Sequence, residues 1–183
     1  MTLRKIISGG QRGVDQGALR AARDCGLEIG GWCPPGRECD DGVIPPGFPL
    51  KETPQERSPD APEVPRSQRT EWNVRDSDGV LVIGSVGEDR GTKWAIECAA
   101  RYRKPLLICD VDDPDAAGKV RRWLSESSIR VLSVGGPGEG TLPGIGERSY
   151  ALLSHLFSQL GRADDVVIPG AGSSPVNDEE KKT

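Results

Sequence analysis

Ile6-Ile7-Ser8-Gly9-Gly10-Gln11-Arg12-Gly13-Val14-Asp15 is the stretch that decides how this chain is read. A short apolar run breaks into a polar, glycine-rich turn. The turn leads straight into residues 13–25, GVDQGALRAARDC, where Val14, Ala18, Leu19 and Ala22 recur at helical spacing. The order is strand, tight loop, helix. Glycines let a backbone approach an anion closely, and the free N–H groups of a helix N-terminus point at it. Arg12 adds a guanidinium able to pair with phosphate oxygens. Asp15 can cap the helix or accept from a sugar hydroxyl. The spacing matches neither G-x-G-x-x-G nor G-x-x-x-x-G-K-[ST]. A tight strand-to-helix turn without a ligand is the alternative meaning of the same residues.

Outward from this turn the alternation repeats. Apolar runs at 3–8, 27–32, 79–83, 105–109 and 129–134 read as strands, and 13–25, 67–75, 91–103, 114–127 and 145–160 read as helices. Gly26 supplies a stop after the first helix. Uniformly apolar strands are buried on both faces, which implies a parallel sheet covered by helices on both sides. The expected fold is therefore α/β: a single doubly wound, Rossmann-like domain at residues 1–160, with a mainly parallel sheet of about five strands. Residues 33–68 stand apart. They hold nine prolines and almost no period, which predicts a long irregular loop. Its first half keeps aromatic and apolar anchors; its second half, 51–66, reads as the flexible part, and the loop as a whole reads as a lid over the ligand. Residues 161–183 read as a flexible polar tail.

Composition narrows the function classes. The 183 residues carry 24 Lys and Arg against 28 Asp and Glu, a formal charge of −4, so bulk electrostatics point away from a nucleic-acid partner. No apolar run approaches the roughly 20 residues that span a bilayer, and MTLRKIISGGQ is too short in its apolar part for a signal peptide. The expectation is a cytoplasmic protein without a membrane partner. Five cysteines, an odd number, argue against a disulfide framework. Cys33 and Cys39 lack the second ligand pair that tetrahedral zinc needs, so no metal site is assigned.

Other segments offer chemistry. Residues 84–93, GSVGEDRGTK, again follow a strand and open a helix; Gly91, Thr92 and Lys93 are candidate phosphate ligands, with Thr92 a natural N-cap. Gly136, in the glycine cluster after the fifth strand, can close the other side, although a plain loop explains that cluster equally well. Arg69, Trp72 and Asn73 are candidates for a wall of the ligand site, and a solvated helix face accounts for the neighbouring charges. The site set is thus Ser8, Gly9, Gly10, Gln11, Arg12, Gly13, Arg69, Trp72, Asn73, Gly91, Thr92, Lys93 and Gly136 for binding. Asp15, Asp41 and Glu71 are the candidate catalytic carboxylates. Asp40-Asp41-Gly42 is either a turn or a place for Mg²⁺. His155, the single histidine, lies far along the chain and is read as a helix residue without a catalytic role.

Five segments occur in an order that matches a known family: SGGQRGVDQGAL, GGWCPPGRECDDGVIPPGFPLKET, QRTEWNVRDSDGVLVI, the Gly91-Thr92 helix running on to KPLLICDV, and the stretch from Gly135-Gly136-Pro137 to Pro143-Gly144-Ile145. Over roughly residues 4–160 the chain resembles the proteins provisionally named molybdenum carriers. These look like a branch of the Rossmann-like superfamily of the Lonely Guy phosphoribohydrolases, the DNA-processing protein A fold and the lysine decarboxylase-like proteins. The resemblance implies a nucleotide or pterin phosphate over the glycine loops and a homodimer; the carrier name implies molybdenum cofactor. This chain departs from the pattern at Arg12, where threonine is expected, and at Ala95, which stands where the Lonely Guy enzymes carry their glutamate. The function expected is binding of a nucleotide-type phosphate with hydrolysis of a nucleoside 5'-monophosphate, at the N-glycosidic or the phosphoester bond. The alternative is a non-catalytic carrier of molybdenum cofactor or a nucleotide sensor.

Overall fold

The computed structural model describes residues 3–84, 87 and 89–163. In chain order the elements are β1 (Lys5–Ile7), α1 (Val14–Asp24), β2 (Glu28–Gly30), β3 (Trp32–Cys33), a single 3₁₀ turn (Pro35–Arg37), β4 (Glu38–Cys39), β5 (Gly42–Val43), β6 (Lys51–Glu52), α2 (Ser67–Arg75), β7 (Gly79–Ile83), α3 (Arg90–Arg101), β8 (Leu106–Cys109), α4 (Ala116–Ser127), β9 (Val131–Gly135) and α5 (Ile145–Ala163). The main sheet has five strands in the order β2-β1-β9-β7-β8, and every pairing is parallel. Among the described residues no helix is long and apolar enough to cross a membrane.

Side-chain alternation explains the two layers. From β7, Leu81 and Ile83 enter a core shared with α1, α4 and α5, through Ala18, Val120, Leu124, Leu153 and Leu156. Val80 and Val82 point the other way, into a second core with Val74 of α2 and Trp94, Cys98 and Ala99 of α3. The fold is α/β with helices on both faces of a parallel sheet, as the apolar runs imply. Counted from β7 through β8 and β9 to β1 and β2, the strand order reads 2-1-3-4-5, the flavodoxin-like arrangement. Its switch point lies between β7 and β9, and ligands in such folds bind beyond the strand ends there.

The structure differs from the sequence reading in three places. The expected strand 27–32 is two strands, because Gly31 takes φ +126°, a conformation only glycine adopts freely. β3 then leaves the main sheet and pairs with β6. The second difference is the proline-rich segment, whose residues 51–66 are packed rather than flexible. Several of its remaining donors are bonded: Thr53 N–H donates to the Cys33 carbonyl at 2.9 Å, Gln55 N–H to Gln68 Oε1 at 2.9 Å and Ser58 N–H to Ser67 Oγ at 2.8 Å. Ala61 and Val64 are buried in the core beside α2 and α3, while Ile44, Phe48 and Leu50 form a third core with Leu19 of α1. Third, α5 runs to Ala163, beyond the expected end at 160; the expectation of a flexible tail otherwise falls outside the described residues.

Candidate functional site

The strand ends at the switch point open into a crevice. Ser8 and Gly9 leave β1, and Ser133 to Gly136 end β9. Asp15 comes from the first turn of α1; Arg69, Thr70 and Asn73 come from α2; Asp89, Gly91, Thr92 and Ala95 come from the start of α3. Its volume is about 40 Å³, room for a few waters or one tetrahedral group and too little for a purine or pterin ring.

Asp15 is the most buried charge in this crevice, at 3% exposure. Its Oδ2 accepts from the Gln11 N–H at 3.2 Å and from Arg69 Nη1 at 3.0 Å. Burial pushes the Asp15 carboxyl above its ordinary range; the Arg69 charge pulls it back, the Gln11 N–H helps, and the Asp89 carboxylate pushes it up again. Burial wins because taking a carboxylate out of water costs more than one imperfect partner returns. The Arg69 guanidinium lies directly over Gly9, in the space a Cβ there would fill. Gly9 is therefore glycine to admit a side chain of the protein itself.

Two donors in the crevice find no acceptor among the described residues: Arg69 Nε and the Thr92 hydroxyl, both buried. Each such group forfeits about 1–3 kcal/mol relative to one with a partner. The backbone N–H groups of Gly9 and Gly136 also have no acceptor among the described residues. Gly91 belongs to the first turn of α3, where helical N–H groups have no partner within the helix. Asp89 supplies the N-cap, accepting from the Thr92 N–H at 2.6 Å. Thr92 is thus not the cap expected from sequence; the extended backbone at Asp89 places the cap three residues earlier, and Thr92 lines the crevice.

The structure brings together Ser8, Gly9, Asp15, Arg69, Asn73, Gly91, Thr92 and Gly136 of the expected set. The Asn73 amide is consumed by backbone: Oδ1 accepts from Trp32 N–H at 2.9 Å, and Nδ2 donates to the carbonyls of Trp32 at 2.9 Å and Arg69 at 2.8 Å. The other expected residues lie elsewhere. Gly10 packs under Leu50 and Ile44. Gln11 donates to the Glu38 carbonyl at 2.9 Å and accepts from Arg66. Gly13 bridges to Gly138. Arg12 turns outward to pair with Asp41, both half-exposed. Glu71 accepts from Ser58 and, at 2.7 Å, from the Tyr102 hydroxyl. Trp72 meets the Trp32 ring edge-on at 4.7 Å. Lys93 lines a separate surface groove with Asp60, Glu63 and Trp94. His155 is exposed on α5. Residues Ser85, Val86 and Glu88 of the second glycine loop fall outside the described residues.

Sequence reasoning missed Ser133, Thr70 and Asp89 as lining residues. Ser133 carried a signal, a lone hydroxyl in the otherwise apolar run VLSVG. Among the described residues no group of three or more His, Cys, Asp or Glu is placed to hold a metal ion.

Comparison with known proteins agrees with this architecture. No curated protein matches the chain. A crystal structure at 1.45 Å resolution does: a protein from Syntrophus aciditrophicus SB provisionally named molybdenum carrier protein. It shares 36% sequence identity with a TM-score of 0.76, over 85% of this chain and 95% of its own. Residues 6–157 match the model of the circularly permutated YpsA SLOG family. With most of its length matched, the chain belongs to the circularly permutated YpsA SLOG family.

Proposed function

We propose that this protein binds a small organic phosphate, a nucleotide or a pterin phosphate, with the phosphate group in the β7/β9 crevice. The observation that carries the reading is the surplus of buried donors. Arg69 Nε and Thr92 Oγ1 are without acceptors, the Gly9, Gly91 and Gly136 N–H groups stand beside them, and the carboxylates of Asp15 and Asp89 already accept. Buried donors without acceptors suit an oxyanion, which supplies several acceptors at once. The 40 Å³ volume suits the phosphate and leaves the base or pterin outside the cavity. The name of the Syntrophus relative concerns molybdenum, and a carrier of molybdenum cofactor would present such a phosphate.

The principal reading is holding without hydrolysis, as a carrier or sensor does. Of the three candidate carboxylates only Asp15 lies in the crevice, and Arg69 occupies it. Hydrolysis of a nucleoside monophosphate is the second reading, supported by that same Asp15: a buried carboxyl whose affinity for its proton is raised can move one to a leaving group. Purified protein incubated with a nucleotide panel, with and without Mg²⁺, separates these. A raised melting temperature with intact nucleotide supports the carrier or sensor reading. Released base or phosphate, lost in Asp15→Asn, supports the enzyme. No shift with any phosphate compound would sink both.

A further inference from the structure

The crevice that attracts an oxyanion also contains a carboxylate. Asp15 and Asp89 both line it, against Arg69 as the single cation among the described residues there. The groups that act on Asp15 are Arg69 from α2, the Gln11 N–H and Ser8 hydroxyl from its own turn, and Asp89 at the start of α3. Ionised carboxylates accept and never donate. A fully ionised oxyanion pressed against Asp15 meets a like charge with no proton between them, which costs several kcal/mol in such a desolvated site. A phosphate that still carries a proton can donate it to Asp15 and accept from Arg69, Thr92 and the glycine N–H groups.

We propose that Asp15 makes this crevice selective for a protonated phosphate over tetrahedral oxyanions that carry no proton, sulfate and molybdate among them. The inference rests on the phosphate-binding reading above, and it requires that a phosphate monoester, whose last proton leaves at about pH 6, be held as its monoanion. It makes Asp15 a specificity residue, and it makes bare molybdate a poor ligand. One proton must lie between the carboxylate and the bound oxygen. At pH 8 hydrogen phosphate brings that proton, whereas sulfate, of the same charge and shape, cannot. In acid, Asp15 itself supplies it, and sulfate becomes a ligand.

The test is calorimetric titration of the protein at pH 8 with sodium phosphate, sodium sulfate and sodium molybdate. Phosphate is expected to bind about a hundredfold tighter than either other ion. Asp15→Asn, whose amide can donate, should bring the ratio below about tenfold by gaining sulfate. Thr92→Val should weaken all three ions together and leave the ratio alone. Melting without ligand checks that each variant folds. Should Asp15→Asn fail to fold, sulfate titration of the wild type in steps downward from pH 8 decides, and sulfate must bind more tightly as pH falls. Phosphate and sulfate binding within a few-fold of each other in the wild type at pH 8 would overturn the inference, as would a ratio unmoved in folded Asp15→Asn or sulfate binding that does not tighten as pH falls. If no ion binds and no nucleotide stabilises the protein, the phosphate-binding reading falls with it. If nucleotides stabilise it while phosphate and sulfate bind alike, this inference alone falls.

Discussion

The turn at residues 8–13 and the segment at residues 33–66 both lack periodicity, yet their contents are used in opposite ways. The turn looks open, with three glycines in six residues, but its backbone is largely covered by protein: Arg69 over Gly9, Leu50 and Ile44 over Gly10, Gly138 beside Gly13. The proline-rich segment looks loose, but it supplies that cover. Ile44 and Leu50 belong to it, and its Arg66 holds Gln11 and, at 2.5 Å, Asp40. Flexibility in sequence does not translate into space in structure. A glycine is free to face a ligand only if no distant side chain has claimed the room.

Removing residues 51–66 is the harshest break of this comparison. It takes away β6, the buried Thr53 and Ser58, and the core residues Ala61 and Val64. The deletion is expected to lose cooperative unfolding and aggregate, measured by near-ultraviolet dichroism and melting; a soluble product with a sharp transition would restore the lid reading. Next in size is a matched pair of glycines. Gly10 and Gly26 share φ +77°, but a Cβ on Gly10 would stand 2.6 Å from Leu50 Cδ1, whereas nothing lies within 4 Å of one on Gly26. Gly10→Ala should cost about 2–4 kcal/mol, strain plus overpacking, and Gly26→Ala only about 1 kcal/mol. Urea denaturation of both tests this, and equal losses would show that backbone strain alone matters.

A smaller effect concerns Asp15. Burial holds its carboxyl above the ordinary range, so the folded chain keeps a proton at pH values where the unfolded chain has released it. This group therefore favours the fold fully below the unfolded value of about 3.9, and that contribution is lost as pH rises through the folded value. Asp15→Asn should flatten this part of the stability profile, read from urea midpoints across pH 3 to 8; a slope unchanged by the substitution would place Asp15 in water. Smallest is Arg12→Ala. The Arg12–Asp41 pair is half-exposed on both sides, so its loss should cost no more than about 0.5 kcal/mol. A larger loss would mean that this turn is held from outside as well as from within.

The sheet and its helices were legible in the sequence because their signals are local. GVLVI at 79–83 is buried at every position, and the apolar residues of 13–25 do recur on the buried face of α1. The crevice was legible in part, since Ser8, Gly9, Asp15, Gly91, Thr92 and Gly136 sit where strand ends meet helix starts. What stayed hidden was decided over distance. Nothing near Gly9 announces Arg69, and nothing near Gly10 announces Leu50. Arg12 and Lys93, attractive as charges beside glycines, point to other surfaces because one residue along a turn or helix changes the direction of a side chain by about a quarter of a circle or more. Gly31 hid the break between β2 and β3, because composition shows a glycine but not its φ.

The strand order has a consequence for how the chain assembles as it is made. β1 lies between β2 and β9, and the Ser8 hydroxyl is bonded at 2.6 Å to the carbonyl of Val134, 126 residues further on. β1 thus waits for a strand more than a hundred residues further along the chain before it has both neighbours. At ribosomal rates of about 5–20 residues per second, that is a delay of roughly 6–25 seconds with one strand edge of the β1–β2 pair unsatisfied. Such an edge recruits other chains. The loop that must close is long, and its chain entropy is lost before the β1–β9 pairing returns any stabilisation.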